Sequence, residues 1–504
     1  MTKSTIDPRV RAALPKGAGC MFNKTANRWY VYFEKKIYVK GAKPKSQKEY
    51  IGTIRDFVFH PNEHYLNKLK SEKENALITE KAEVAKELSD KIEAVIQTEQ
   101  IEVRKPAQIV YPLKYILCVS ILASMGGHES AEAIAQYWKS HQKVFCSWFR
   151  DFPEQSISHD TVRRVLAIMD TERFGKVLTC LAKELVEQIQ KITETKQSLT
   201  TLSIDGQGTR ASRISEDNKI PYQLNIYDST NKLVLYSEQV GAKTNEITPA
   251  VKIANRLNFS GCIVTTDALI TQKRFVTAVV ASHGNYLLAV KGNHELLEQA
   301  IEEAFFRNEI IEQGKRDESV RIVGRSTWPK RKIFEEKTDL GHGRIEQRIT
   351  EVLPADTMSR TTCEGWDGLW FGTIAKVSSS VVSKKNGESR KDTRFYICSL
   401  PFDMPEIAQL LNKTARNHWA IENNLHHVLD VEMDQDKIQS ITPNFISNMV
   451  SLRKIALNYL TSYQNITRQL KGLDRNPSIN LLIKSACTPE KAIEVIRTVV
   501  KMEN

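Results

Sequence analysis

Leu202-Ser203-Ile204-Asp205-Gly206, then Gln223-Leu224-Asn225-Ile226-Tyr227 and Leu233-Val234-Leu235-Tyr236, are three short runs rich in alternating apolar and β-branched residues, separated by turn formers. Such runs predict three strands in succession. Downstream the texture alternates: helical from Asn245 to Asn258, a strand at Ile263-Val264-Thr265-Thr266, a helix to about Ser282, and a strand at Tyr286-Leu287-Leu288-Ala289-Val290. Two of these strands end in an acid. Asp205 closes the first run, and Asp267 follows Thr266 in the fourth. In an open α/β sheet the carboxyl ends of the strands form the ligand crevice, so two carboxylates can converge there. The same residues have local uses. Asp-Gly is a hairpin-turn signal, and an Asp after a strand often caps the next helix.

Three strands followed by alternating helix and strand is the order of a ribonuclease H-like α/β core. Residues 310–400 interrupt it with charged, Gly-bearing, β-leaning sequence, expected to be an inserted β-rich domain, and helix resumes from about Pro405 to Met433. A third acid lies there, in Arg416-Asn417-His418-Trp419-Ala420-Ile421-Glu422-Asn423-Asn424-Leu425-His426-His427. At 100° per residue His418, Glu422 and His426 share one face, which either meets solvent or lines a site, and Arg416 stands about 120° from Glu422 if the helix is unbroken.

Before the core, residues 106–195 read as a helical domain with a start at Ser158-His159-Asp160-Thr161, and residues 61–105 as a charged helical linker. Residues 1–60 form a basic module. They carry 13 Lys+Arg against 4 Asp+Glu, most of the +12 net charge of a 504-residue chain with pI near 9.1. A positive excess of this kind suits a polyanionic partner. Runs such as Arg28-Trp29-Tyr30-Val31-Tyr32-Phe33 and Lys36-Ile37-Tyr38-Val39-Lys40 predict a small antiparallel sheet in which Trp29, Lys35, Lys36 and Lys40 could meet DNA. Aromatic residues are equally what so small a sheet needs for its own core.

Other chemistries are poorly supported. The sequence contains no Gly-x-Ser-x-Gly, no Walker-A loop, no His-Glu-x-x-His and no Cys-x-x-Cys among its eight scattered cysteines. The most apolar stretch, around Tyr115 to Met125, is too short and too broken by Ser to span a bilayer. No signal peptide is recognisable, and a cytoplasmic protein without membrane contact is expected.

Five ordered blocks carry a resemblance: Ser203-Ile204-Asp205-Gly206; Thr266-Asp267-Ala268-Leu269 with Thr271-Gln272-Lys273; Leu288-Ala289-Val290-Lys291-Gly292-Asn293; Gly341-His342-Gly343-Arg344-Ile345-Glu346-Gln347-Arg348; and His418-Trp419-Ala420-Ile421-Glu422-Asn423 with Leu425-His426. Together they resemble insertion-sequence D-D-E transposases of the H-repeat-associated (ISAs) type, over roughly residues 110–465. Gln207 and Ile270 depart from that pattern, where the family has Lys and His; neither is one of the acids.

The resemblance implies a ribonuclease H-like catalytic core at 196–309 and 401–465, interrupted by the β-rich insertion and followed by a helical segment at 466–504. It implies that Asp205, Asp267 and Glu422, spaced 62 and 155 residues apart, hold two Mg²⁺ ions, with Mn²⁺ able to substitute. The reaction is then cleavage at transposon ends and strand transfer into target DNA. Arg416, His418, Asn423 and His426 would support the site. Arg344, Arg348 and Lys291 would face phosphates, and two copies would pair in the synaptic complex on double-stranded DNA. Trp366 and Trp370 read as core aromatics that could alternatively stack a flipped base. Two other readings are a transposase-derived DNA-binding protein without activity and a structure-specific nuclease.

Overall fold

The computed structural model describes residues 6–37, 45–193, 199–210, 212, 220–240, 246–316, 330–341, 344–358, 366, 372–383, 389–472 and 477–501. Lys40, His342, Gly343 and Trp370 therefore lie outside the described residues. The chain divides into two compact units, Met1–Glu83 and Val84–Asn504.

The first unit is an antiparallel sheet of four strands, β1 (Gly19–Asn23), β2 (Arg28–Ile37), β3 (Lys45–Arg55) and β4 (Val58–Pro61), in the order of the sequence. The fourth strand arises because Asp56 and Phe57 both adopt positive φ, 49° and 62°, the backbone twist that closes a two-residue hairpin. Along β2 alternate residues take opposite faces. Val31 is fully buried and packs with Val10, Ile51, Ile54, Trp29 and Phe33 in the unit's core. Tyr30 and Tyr32 consequently stand on the other face, where Lys48 lies 4.4 Å over the Tyr32 ring.

The second unit is built on one nine-stranded mixed sheet. Its strands are β5 (Thr200–Gly208), β6 (Tyr222–Asp228), β7 (Leu233–Val240), β8 (Cys262–Thr266), β9 (Asn285–Val290), β10 (Lys332–Gly341), β11 (Arg344–Pro354), β12 (Thr373–Ser383) and β13 (Ser389–Cys398). Their order is β10-β11-β12-β13-β9-β8-β5-β6-β7. β5, β8 and β9 run parallel, whereas β5-β6-β7 and β10 to β13 are antiparallel. The stretch expected to be an inserted β-rich domain supplies β10 to β13 and lengthens this sheet, because β13 pairs with β9 and so covers what would be an exposed edge. It is preceded by the Glu295–Arg316 helix, part of which was expected to be β-leaning.

Both faces of the sheet are covered. Leu202, Ile204, Leu224, Ile226 and Val264 face one core, closed by the helices Ile247–Ala254, Lys273–Ala281 and Glu295–Arg316. Ile263, Leu287, Val352 and Ala375 face the other, under the helix Ile407–His418, which lends Ile407, Leu411 and Ala415. Within the second unit the later part of the helix Glu63–Thr98 buries Val84, Leu88, Ile92 and Ile96 at helical spacing. The Ser158 hydroxyl accepts from the Thr161 amide and caps the helix His159–Ile168 as its sequence predicts. The 29-residue helix Pro443–Lys471 packs against Thr171–Thr193, Leu113–Met125 and β7. Among the described residues no helix is long and apolar enough to cross a membrane.

Candidate active site

The site starts from strand register. In the parallel β5–β8 pair Ser203 stands beside Thr265 and Ile204 beside Thr266, so Asp205 and Asp267 come next; Asp267 follows the end of β8, whereas β5 does not end at Asp205 as its apolar run suggests but continues to Gly208, held by its pairing with β6. Leu202 and Ile204 take the apolar face. Strand alternation therefore turns Asp205 toward the opposite face, that of the Ile407–His418 helix. The carboxylate of each acid accepts from the following amide at 2.8 Å, Gly206 for Asp205 and Ala268 for Asp267. Gly206 is required there, because a Cβ would lie 2.2 Å from the Tyr222 ring.

Glu422 comes from the far end of the same helix, where the α-helix gives way to π-helical turns over Glu422–His426 and Val428–Glu432. The unbroken helix expected from the sequence is absent. A π turn takes more residues per revolution, yet His418 and Glu422 still line one cavity and His426 lies against Asp205. What results is a cavity of about 280 Å³ lined by Asp205, Asp267 and Glu422, together with His418, Lys291, Trp419 and Arg394.

The remaining expected residues take different places. His426 does not line that cavity but sets its Nδ1 3.7 Å from Asp205 Oδ2. Arg416 points toward the antiparallel strands, where its guanidinium holds Glu336, Thr338 and Glu346. Asn423 is exposed and donates to the Trp419 carbonyl. Arg348 is mostly buried, 2.8 Å from Glu346, whereas Arg344 is exposed. Trp29 is half-buried in the core of the N-terminal sheet, and Lys35 and Lys36 are exposed at the far end of β2. Trp366 is buried edge-on against His294.

Electrostatically the cavity is under strain. Burial, and then the negative charges of Glu246, Glu422 and Asp267, push the Asp205 carboxyl up to about 7. Burial also drives His418 down to about 4 and His426 down to about 3, the latter aided by the Lys454 charge, so both imidazoles are neutral at pH 7. His418 Nδ1 and His426 Nε2 are buried without a hydrogen bond. Glu246 and Lys454 are the residues the sequence did not reveal. Glu246 is buried and accepts from Tyr222 Oη. Among the described residues no three His, Cys, Asp or Glu side chains are clustered tightly enough to enclose one metal ion.

Two family models match the chain, the transposase DDE domain over residues 198–459 and the DDE_Tnp_1-associated domain over residues 99–182. The chain belongs to the DDE transposase family, and it is a DNA transposase, an enzyme of DNA transposition. It is 27% identical over 390 residues to "H repeat-associated putative transposase YhhI" of Escherichia coli K12, covering 76% of this chain and 95% of that protein. The protein named YbfL from the same organism matches to the same extent. A solved structure of the piggyBac transposase synaptic complex with hairpin DNA aligns with a TM-score of 0.33 at 13% identity, over 83% of this chain and 80% of that one.

Proposed function

We propose that Asp205, Asp267 and Glu422 are the catalytic carboxylates of a ribonuclease H-like core that cuts transposon ends and joins them to target DNA. The observation that carries this is the convergence of three acids, distant in sequence, on one cavity beside the parallel β5–β8 pair. The order β5-β6-β7 antiparallel with β8 and β9 parallel to β5 supports the fold assignment.

The donor set fits divalent cations. Hard carboxylate oxygens suit Mg²⁺, with Mn²⁺ as a substitute, and the carboxyl raised by burial and like charge is one that a cation would relieve. Since the three acids surround the cavity without closing on one point, sharing in pairs is the natural arrangement: Asp205 with Glu422, and Asp205 with Asp267. When bound, two such ions supply Lewis acidity for the attacking hydroxyl and for the leaving oxygen of an in-line displacement.

The protein's own groups do the positioning. The neutral His426 ring braces Asp205 from behind, and His418 lines the cavity wall. Lys291 and Arg394 lie where the flanking phosphates of a DNA strand would pass, and cationic groups there favour a polyanion. Exposed Arg344 and the lysines of the N-terminal module, Lys35 and Lys36, extend that attraction to double-stranded DNA, with two copies of the chain pairing the two ends.

Incubating the purified chain in Mg²⁺ with duplexes carrying its element's ends, and with a target plasmid, tests the reading. Joining of a free 3′-hydroxyl to the target is expected. Hydrolysis alone would make it a structure-specific nuclease, and binding without cleavage in Mg²⁺ or Mn²⁺ would make it a DNA-binding derivative.

A further inference from the structure

Across the sheet from the acid-lined cavity, a further carboxylate reaches the strand that carries Asp205. Ile204 and Gly206 face the core closed by the helix Ile247–Ala254, and Tyr222, paired with Gly208, lies on that same face. The ring folds back over Gly206, where a Cβ would stand 2.2 Å from the Tyr222 hydroxyl. That hydroxyl donates at 2.5 Å to Glu246 Oε1, and Glu246 immediately precedes the helix. A glycine with no side chain admits this approach, so hydroxyl and carboxylate come up against the backbone beside Asp205.

Glu246 differs from the other buried glutamates. Glu238 is held by Lys252, Glu346 by Arg348 and Arg416, and Glu351 by Arg331. Glu246 is 5% exposed, yet among the described residues it takes its hydrogen bond from Tyr222 and meets no Lys or Arg. A buried carboxylate without a counter-charge is costly unless a cation shares its field. Its charge also acts on Asp205 more strongly than that of Glu422 or Asp267. Two divalent cations in the cavity would carry four positive charges, of which the three acids balance three. Glu246 supplies the fourth negative charge.

We propose that Glu246 is a positioning residue for the cations: without touching them, and held by Tyr222 behind Gly206, its carboxylate strengthens divalent-cation binding at Asp205. The inference rests on the assignment of the three acids given above, since it is their cavity that takes the cations. One charge then has opposite effects on two states. It repels Asp205 while the cavity is empty and attracts a cation that enters. A glutamate serving only to pack the helix would do neither.

The test uses the full chain without DNA, with Mg²⁺ binding followed by titration calorimetry and melting followed in chelator. Glu246→Gln keeps an oxygen for the Tyr222 hydroxyl and removes the charge. It should weaken Mg²⁺ binding on the order of tenfold and melt no lower than wild type in chelator. Glu246→Asp, which keeps the charge, should bind Mg²⁺ more tightly than Glu246→Gln. Unchanged Mg²⁺ affinity in Glu246→Gln would overturn the role. So would a lower melting temperature of that variant in chelator, which would make Glu246 a structural prop. Asp267→Asn in the same titration separates the two levels: if it binds Mg²⁺ as wild type does, the acid assignment fails, and if it loses binding while Glu246→Gln does not, only the role of Glu246 fails.

Discussion

Lys454 Nζ donates to Asn225 Oδ1 at 2.6 Å, and Asn225 is the residue paired directly across from Asp205 in the neighbouring strand. The same ammonium donates to Ser237 Oγ at 2.7 Å and to Gln223 Oε1, so all three of its protons meet oxygen in a fully buried site. Burial drives it well below its ordinary range, yet its positive field still reaches His426. One long-range group from the Pro443–Lys471 helix thereby ties together the polar wall behind the acids. Replacing it by Met removes all three of these donor contacts and leaves the single Ser237 hydroxyl to serve both Gln223 Oε1 and Asn225 Oδ1. Lys454→Met is expected to lose on the order of 3 kcal/mol in urea unfolding; an unchanged midpoint would show that the wall does not depend on it.

Asp205 should cost the metal-free protein stability. Its carboxyl titrates near 7 when folded and near 3.8 when unfolded, so below about pH 4 both states are protonated and the penalty vanishes. It grows as pH rises and is complete above 7, at most about 4 kcal/mol. In chelator Asp205→Asn should therefore melt higher than wild type at pH 8, with the gap closing toward pH 4. Adding Mg²⁺ should raise wild type and narrow the difference. Equal melting of the two proteins at pH 8 without metal would contradict this.

Gly206 is constrained by its neighbour. The 2.2 Å approach of a Cβ to the Tyr222 ring forces a shift in the residue adjoining Asp205. Gly206→Ala should destabilise by about 1–3 kcal/mol and lower nicking. Gly292→Ala, where a Cβ meets nothing within 4 Å, should melt like wild type. The two are compared by thermal unfolding, and equal melting of both variants would refute the constraint.

Asp267 was legible because strand periodicity is local and its apolar run ends with β8; Asp205 was legible as a candidate but not as an interior strand residue, since the continuation of β5 to Gly208 depends on its pairing with β6. Glu422 was legible as a candidate but its geometry was not, since residue spacing alone does not announce where an α-helix widens to a π turn. In the N-terminal sheet alternation places Trp29 and Tyr30 on opposite faces. Which face is covered depends on Val10, Ile51 and Ile54, contributed by other segments. The continuation of the sheet by β10 to β13 depends on the pairing of Tyr396 with Ala289, more than a hundred residues apart. Glu246 and Lys454 carry no local signature, because their partners are set by tertiary contact.

The most direct measurement concerns Glu422, the acid furthest along the chain and the one delivered by the π turn. Glu422→Gln removes a charge and keeps the shape. In Mg²⁺, with duplexes carrying the element's ends, this variant is predicted to bind DNA as wild type does and to lose at least about a hundredfold in strand nicking, the loss typical of a removed charge-stabilising group. Nicking at the wild-type rate would contradict a cavity in which Asp205, Asp267 and Glu422 act together.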